Sequence, residues 1–148
     1  MKIRKALKSD CVQIYELWKE LGKVHSNYMN EKECKLTEDN FYFDLLDNNE
    51  CSIIVAINEK EIVGYIEYYM RKDQKDENYW YILHAYIKPN YRNSDVAIKL
   101  FTFLKNEAKK KRIKSVYTDV YYNNAVFYKS IRGLGFKPYK TKFRWEIE

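Results

Sequence analysis

The segment Ile82–Ala97, ILHAYIKPNYRNSDVA, constrains the fold of this chain more than any other. Its first six residues are apolar or aromatic apart from one histidine, which is typical of a buried strand. Pro89 ends that strand, a polar loop follows, and an amphipathic helix is predicted from about Asp95 to Lys111. Because the loop runs directly into the helix, free N–H groups and the positive end of the helix dipole form an anion site with Arg92 at its mouth.

The segment is the centre of a predicted β-α-β unit. The strand Tyr79–Ile87 is apolar on both faces, which places it in the middle of a sheet. A regular alternation puts His84 and Tyr86 on the same face as Trp80 and Ile82. The strand Ser115–Tyr121 follows the helix, so the two strands should be adjacent and parallel with a right-handed crossover.

The remaining elements are shorter, and together they suit one domain, residues 1–148. They are a strand at Lys2–Leu7, a helix from Ser9 or Asp10 to Gly22, a helix at Thr37–Leu46, strands at Cys51–Ile57 and Ile62–Met70, a helix at Asn124–Leu134 and a strand at Tyr139–Ile147. Gln13 is placed to cap the first helix by reaching back. The strict alternation of Tyr139–Ile147 predicts one buried and one wet face near the sheet margin.

Composition excludes several classes of protein. No apolar run approaches membrane-spanning length and no signal peptide is visible, which favours a cytoplasmic location. Three widely spaced cysteines form neither a disulfide framework nor a metal pattern. With His25 and His84 as the only histidines, the sequence argues against a metal site.

Charge is unevenly distributed along the chain. Asn27–Glu50 is strongly acidic, whereas Ile98–Lys114 is strongly basic. The basic block allows a nucleic-acid interpretation, but cations also gather at a helix C-terminus, where they suit its dipole. We therefore predict no nucleic-acid partner and no membrane partner. The acidic stretch is either a solvated helix face or a surface that attracts a cationic ligand.

Two local patterns carry a family resemblance. Ile87-Lys88-Pro89 followed by Arg92-Asn93-Ser94-Asp95-Val96-Ala97 resembles the GNAT acyltransferase signature, Arg/Gln-x-x-Gly-x-Gly/Ala after a strand that ends Val/Ile-x-Pro. Arg92 and Ala97 match it, and Asp95 stands where the family has glycine. Asn124 precedes Gly135-Phe136 with the spacing of a second GNAT signature. The order of elements resembles this superfamily over nearly the whole chain.

The resemblance implies a fold and an activity. The fold is α/β, with a central mixed sheet of about seven strands flanked by about four helices. The activity is acetyl-CoA-dependent transfer of an acetyl group to a primary amine of a small molecule or peptide, by direct attack in a ternary complex. The cofactor-binding groups carried over from the family are the backbone of Ala85, Tyr86 and Ile87 for pantetheine, the loop Arg92, Asn93, Ser94, Asp95, Val96 and Ala97 for pyrophosphate, and Asn124 and Tyr128.

Acetyl transfer also needs an acid and a base. The tyrosine that usually serves as acid in the family falls at Ile131, and Tyr128 lies one turn earlier on the same helix face, where it is either the acid or ordinary packing. His84 is either the base or a satisfied core histidine. Glu67 either acts through water or lies on a solvated face. His25, in the loop after the first helix, either lines the acceptor pocket or is a surface residue. Tyr81 aligns near the glutamate base of some relatives, but tyrosine is a poor base at neutral pH.

A second function remains open at this stage. Asp95 puts a carboxylate at a pyrophosphate site and Ile131 removes the usual acid. Together they allow a catalytically degenerate GNAT module that binds acetyl-CoA weakly or not at all. If the protein is an enzyme, the acidic stretch favours a cationic amine as acceptor, and exposed aromatic residues such as Trp145 suit a homodimer.

Overall fold

The computed structural model describes residues 1–29, 45–47 and 51–147, with the backbone alone for residues 25–29. The helices and strands are, in chain order, β1 Lys2–Lys5, α1 Cys11–Met29, β2 Ser52–Asn58, β3 Glu61–Lys72, β4 Asn78–Ile87, α2 Val96–Lys110, β5 Val116–Thr118 and α3 Ala125–Gly133. The strands form one mixed sheet in the order β1-β2-β3-β4-β5. The predicted α/β class is confirmed.

The sheet separates two hydrophobic clusters, one under each long helix. On one face, α1 buries Ile14, Leu17 and Leu21, as its apolar periodicity predicts. On the other face, α2 buries an i, i+4 row of apolar side chains: Val96, Leu100, Leu104 and Ala108. Burying each such leucine contributes about 1.5–3 kcal/mol. Two helix stripes of this size hold the sheet as the middle layer of three.

The predicted parallel crossover is confirmed. β1 to β4 are antiparallel neighbours, whereas β4 and β5 are adjacent and parallel. Their pairing joins Trp80 to Val116, Tyr81 to Tyr117 and Ile82 to Thr118, and it ends there. Since β4 continues to Ile87, one end of the pair is open.

The carboxyl-terminal strand is a wrong prediction. Tyr139–Ile147 lies outside the sheet, and the described residues form five strands rather than about seven. Its alternating pattern is genuine, but the segment stays exposed because it pairs with no strand of the described chain. A strand pattern needs a partner edge, and the sequence of one chain does not say where that edge is.

The first helix also differs from the prediction. It runs through Gly22 to Met29 and so includes His25, which was expected in a loop. One interior glycine costs about 1 kcal/mol, which the flanking buried leucines outweigh. Gln13 does not cap the helix: its side chain accepts from the Ile62 N–H at 2.8 Å and donates to the Lys60 carbonyl at 3.3 Å. It thereby ties the helix to the β2–β3 hairpin.

Some expectations fall outside the described residues. They are most of the acidic stretch Asn27–Glu50 and most of the predicted helix Thr37–Leu46. Leu45 and Leu46 are described, and they pack against the core under α1 as predicted. Within the described parts of the chain, no helix has both the length and the apolarity needed to span a bilayer.

An ion pair fastens β1 to the start of α1. Arg4 donates to Asp10 at 2.6 and 3.0 Å, and the Leu7 N–H donates to the same carboxylate at 2.7 Å. Asp10 is buried, with an exposed fraction of 7%. Because its carboxylate accepts from the Leu7 N–H, it closes the turn before α1 instead of capping that helix. Burial opposes ionisation of this carboxyl, but the hydrogen bonds from Arg4 and Leu7 outweigh it and lower the pKa of Asp10.

We expect Asp10→Asn to lower the free energy of unfolding by about 2–3 kcal/mol at pH 7, since it leaves Arg4 half-buried without its counter-charge. The folded-state pKa lies below the unfolded value of about 3.9, so the stabilisation is present above that value and is lost as pH falls through the folded pKa. Urea unfolding of both proteins at pH 7 and pH 3 measures this. A stability difference that is the same at both pH values would contradict it.

Candidate active site

A bulge in β4 lies at the point where the sheet opens. Glu67 pairs with His84 and the next residue, Tyr68, pairs with Ile82, so Leu83 is an extra residue in β4. The bulge interrupts the regular alternation that the sequence suggests. Ile82 therefore packs toward α2, whereas Tyr86 packs in the core under α1. The prediction that Trp80, Ile82, His84 and Tyr86 share one face is wrong for this reason.

His84 and Glu67 form a direct pair beside the opening. His84 Nδ1 lies 2.8 Å from Glu67 Oε2, and the His84 side chain is 19% exposed while that of Glu67 is 1% exposed. A carboxylate only accepts hydrogen bonds, so Nδ1 carries the hydrogen and Nε2 is the basic ring nitrogen. Glu67 does not lie on a solvated face, because its side chain is buried, and it contacts His84 directly.

The buried carboxylate is held from a second side. The Tyr69 hydroxyl donates to Glu67 Oε1 at 2.8 Å. Burial, followed by the neighbouring charge of Glu67, raises the pKa of Tyr69 far above its usual value, so this hydroxyl stays protonated. The edge of the Trp18 ring lies over His84, with the ring centroids 6.4 Å apart. These contacts orient the imidazole, which is what a proton acceptor in a fixed position requires.

The open edge of β4 offers backbone groups where pantetheine is expected. Lys88 N–H donates to the Val63 carbonyl on the β3 side, whereas the Ile87 carbonyl accepts from Arg92 Nε at 2.9 Å on the other side. Alternation along the ladder then places the Ala85 backbone on the open edge and the Tyr86 backbone toward β3. Of the three predicted backbone groups, those of Ala85 and Ile87 therefore face the opening, whereas that of Tyr86 faces β3.

Tyr86 contributes its side chain instead. Its hydroxyl donates to Glu20 Oε2 on α1 at 2.9 Å, and the Arg92 guanidinium lies 5.2 Å from its ring centroid. This array holds Arg92 across the end of β4, near the start of α2. Sequence reasoning missed Glu20 and Trp18, because the helix pattern marks only which face of α1 is apolar. The positions of Trp18 and Glu20 in the helix sequence do not indicate that they contact His84 and Tyr86.

The side chain of Asp95 does not cap the N–H groups at the start of α2. Asp95 is the N-cap residue but makes no side-chain cap hydrogen bond. Its carboxylate pairs with Lys99 at 2.6 Å, and this contact lowers the pKa of Asp95. The Ser94 hydroxyl instead accepts from the Val96 N–H at a long 3.4 Å. The first turn of α2 therefore retains donors for an anion.

The predicted acid lies on α3. Asn124 caps this helix by accepting from the Phe127 N–H at 3.1 Å. Tyr128 is 47% exposed, and its hydroxyl has no hydrogen-bond partner among the described residues, whereas Ile131 is buried in the core at 7%. The Tyr128 ring is therefore only partly packed into the core. Ordinary packing was the alternative to a catalytic role. The side chain of His25 lies outside the description.

Tyr81 does not suit the role of base. Its hydroxyl donates to Asp119 Oδ2 at 2.6 Å, across the parallel pair of strands. Burial, and then this hydrogen bond, raise the pKa of Tyr81. A tyrosine held in this way stays protonated at neutral pH. In the described part of the chain, no cluster of three or more histidine, cysteine, aspartate or glutamate side chains has the geometry to hold a metal ion.

Solved structures share this fold. A mutant of the BH1408 protein from Bacillus halodurans superposes with a TM-score of 0.89 at 15% identity, covering 100% of both chains. The aminoglycoside acetyltransferase meta-AAC0020 from an uncultured soil sample, in complex with sisomicin, gives 0.78 at 17% identity over 99% of this chain and 96% of its own. Aminoglycoside N-acetyltransferase AAC(6')-Iy in complex with CoA gives 0.76 at 15% identity over 99% of each chain.

The family assignment rests on the sequence as well. A comparison with curated proteins gave no significant match. A profile of the acetyltransferase (GNAT) family, however, matches residues 12–136, which is most of the chain. The resemblance drawn from the two local motifs is thereby confirmed. The chain belongs to the acetyltransferase (GNAT) family.

Proposed function

We propose that the protein is an acetyl-CoA-dependent N-acetyltransferase that works by direct attack of an amine in a ternary complex. One observation carries this proposal: the His84–Glu67 pair lies two residues beyond the last β4–β5 pair, where the sheet opens. A buried carboxylate behind a partly exposed imidazole is an arrangement for accepting a proton. Family membership supports the reaction class.

The base has a defined task. An alkylamine with a pKa of about 10 is protonated at neutral pH and must lose a proton before it attacks. His84 Nε2 takes that proton, directly or through water, and Glu67 stabilises the imidazolium that results. The hydrogen bond from Tyr69 keeps the carboxylate in place. His84 and Glu67 are thus the base and its positioning residue.

The coenzyme occupies the opening and the loop beside it. Acetyl-CoA supplies the acetyl group as a thioester when bound. Backbone groups of Ala85 and Ile87 on the open edge of β4 hold the pantetheine arm, and backbone N–H groups of the loop 92–97, which the Asp95 side chain does not cap, hold the pyrophosphate. Arg92, anchored on the Ile87 carbonyl, adds positive charge there. Asn124 and Tyr128 on α3 are the remaining coenzyme contacts that the family resemblance implies, and Tyr128 protonates the departing thiolate.

We propose a cationic small molecule as the acceptor. Two structural relatives are aminoglycoside acetyltransferases, and one of them was crystallised with sisomicin. Glu20 on α1 brings a carboxylate to the Tyr86 hydroxyl on the same side of the sheet as His84. The acidic stretch Asn27–Glu50 would add to that field. Polyamines and basic peptide termini share the required chemistry.

The proposed activity is tested with the full chain, acetyl-CoA and a panel of amines that contains sisomicin, a polyamine, a basic peptide and an acidic amine. Thiol release and the mass of the product report transfer. We expect N-acetylation of one or more cationic amines and none of the acidic amine. Turnover of the acidic amine alone would refute the acceptor, and absence of turnover across the panel would refute the acceptor classes proposed here.

A second candidate is a degenerate GNAT module, and the buried Ile131 favours it because no acid occupies the usual position. Asp95 also places a negative charge beside the loop that would hold phosphates. Calorimetry with acetyl-CoA separates the two functions. Binding with transfer supports the enzyme, and a folded protein that does not bind supports the module.

We expect Asp95→Gly to bind acetyl-CoA on the order of tenfold more tightly, because a like charge near the phosphates is removed. The gain is limited, since Lys99 already neutralises part of that charge and Asp95 does not compete for the helix N–H groups. Asp95→Asn is the matched control, for it removes the charge and keeps the side chain. Titrations at matched ionic strength with equal affinities for all three proteins would contradict the argument.

A further inference from the structure

A row of three side chains joins α1 to the loop before α2. The Tyr86 hydroxyl on β4 donates to Glu20 Oε2 on α1 at 2.9 Å, and the Arg92 guanidinium lies 5.2 Å from the centroid of the Tyr86 ring. Arg92 Nε also donates to the Ile87 carbonyl at 2.9 Å, which holds the guanidinium beside that ring. Because Tyr86 is buried, the two charged groups communicate through an aromatic side chain rather than through water.

The two ends of the row carry opposite charges and act on the same hydroxyl. Burial, followed by the hydrogen bond to Glu20, raises the pKa of Tyr86, and the nearby Arg92 guanidinium offsets part of this rise. The Tyr86 hydroxyl has one hydrogen, which it donates to Glu20, so its oxygen is the atom that can accept from Arg92. Glu20 therefore compensates part of the Arg92 charge within the protein itself.

The same two ends lie at different parts of the candidate active site. Arg92 precedes the N–H groups at the start of α2, which the Asp95 side chain does not cap. Glu20 is partly exposed on α1, two residues after Trp18, whose ring edge lies over His84. Under the proposed function, Arg92 thus faces the coenzyme diphosphate, and Glu20 faces the layer in which the amine meets the base.

We propose that Glu20 and the coenzyme diphosphate compete for Arg92, so that the coenzyme and a cationic acceptor each promote binding of the other. This inference rests on the proposed function. The diphosphate attracts Arg92 away from the Tyr86–Glu20 pair, and the Glu20 carboxylate then binds the ammonium group of the acceptor. Because both ligands break the same internal contact, the second ligand binds without breaking it again. The increase in affinity is therefore reciprocal.

The first measurement is a calorimetric titration of the full chain with CoA, which has no acetyl group to transfer. Glu20→Gln should bind CoA about three- to tenfold more tightly than the native protein, because Arg92 is no longer shared with a carboxylate.

Glu16→Gln is the matched control for this titration. Glu16 lies one turn earlier on α1, is exposed and pairs with Lys19, so its replacement makes the same change in net charge away from Arg92. Its affinity for CoA should equal that of the native protein at matched ionic strength. Equal affinities for the native protein and Glu20→Gln, or an equal gain in both variants, would overturn the proposal.

The second measurement repeats the CoA titrations with saturating sisomicin or spermine. Either amine should tighten CoA binding by about fivefold or more in the native protein and in Glu16→Gln, and this gain should be lost in Glu20→Gln. Direct attraction between the amine and the phosphates would act in all three proteins. A gain that persists in Glu20→Gln, or a native protein whose affinity for CoA neither amine increases, would therefore overturn the proposal.

These titrations are independent of turnover, which tests the proposed function separately. Turnover without coupled binding would overturn competition for Arg92 and leave acetyl transfer in place. Coupled binding without turnover would support competition for Arg92 and refute the catalytic role of the His84–Glu67 pair.

Discussion

Replacement of His84 by alanine is expected to lower kcat/KM for acetyl transfer by about 10²–10⁴-fold, the usual contribution of a positioned base. His84 Nδ1 is held at 2.8 Å by a carboxylate with no exposure of its own, so the ring presents Nε2 in one orientation. The loss should fall on the amine reaction and leave the affinity for acetyl-CoA unchanged, because we propose that the coenzyme binds along the backbone edge of β4. Parallel kinetics and calorimetry measure the two effects.

Two further readouts separate a base from a structural histidine. Added imidazole should restore part of the activity of His84→Ala, since it replaces the missing proton acceptor. Tyr69→Phe should cause a smaller loss than His84→Ala, because it removes one donor to Glu67 and leaves His84 in place. An undiminished rate in His84→Ala, or a loss explained by weaker acetyl-CoA binding, would assign the histidine to packing.

Tyr128→Phe is expected to lower turnover by about 10²-fold or more, as loss of a general acid does. The hydroxyl is exposed on α3 one turn before Ile131, and a departing thiolate needs a proton or a positive field. The matched control is Tyr122→Phe, because Tyr122 is 98% exposed just before the same helix. Turnover measured with saturating acetyl-CoA isolates the chemical step from binding.

A leaving-group series sharpens this result. The thiolate of a more acidic thiol leaves an acetyl thioester more easily. The loss of turnover in Tyr128→Phe should therefore be smaller with such an acetyl donor. The deficit of His84→Ala should not shrink in the same way, since that residue acts on the amine. Equal rates for Tyr128→Phe and the native protein would leave water as the proton donor and assign Tyr128 to the surface of α3.

Patterns within single elements were sufficient to predict most of the fold. The apolar rows of α1 and α2 and the doubly apolar β4 each follow from local periodicity, and the β-α-β unit follows from their order. The parallel pair of strands was predicted from these patterns, whereas the family was predicted from two local motifs together with the order of the elements. The carboxyl-terminal segment was predicted wrongly for a different reason: its pattern is clear, but it pairs with no strand of the described residues.

The site was predicted in part. His84 and Glu67 were each named, yet their contact was not, because it depends on how β3 and β4 align across the hairpin. The hydrogen bond that Tyr69 donates to Glu67 joins two residues of β3, and it was not predicted either. Asp95 begins the helix α2, but its carboxylate does not cap it, because Lys99, one turn along, offers a charged partner. Neither residue alone indicates whether the carboxylate will cap the helix or form an i+4 ion pair.

Because Leu83 is an extra residue, the composition of the site depends on the number of regular residues that β4 has between Ile82 and His84. In a strand, the side to which a residue points is decided by whether it is an odd or an even number of steps from a fixed neighbour. Leu83 adds one step between Ile82, which belongs to the layer of α2, and His84, which belongs to the layer of α1. Deletion of Leu83 would make Ile82 and His84 consecutive, and regular alternation would keep both in their present layers. A strand that instead took up Leu83 as a regular residue, without the bulge, would exchange the layers of His84 and of every residue after it. The imidazole would then enter the wrong half of the molecule, away from Glu67, with its own sequence neighbours unchanged.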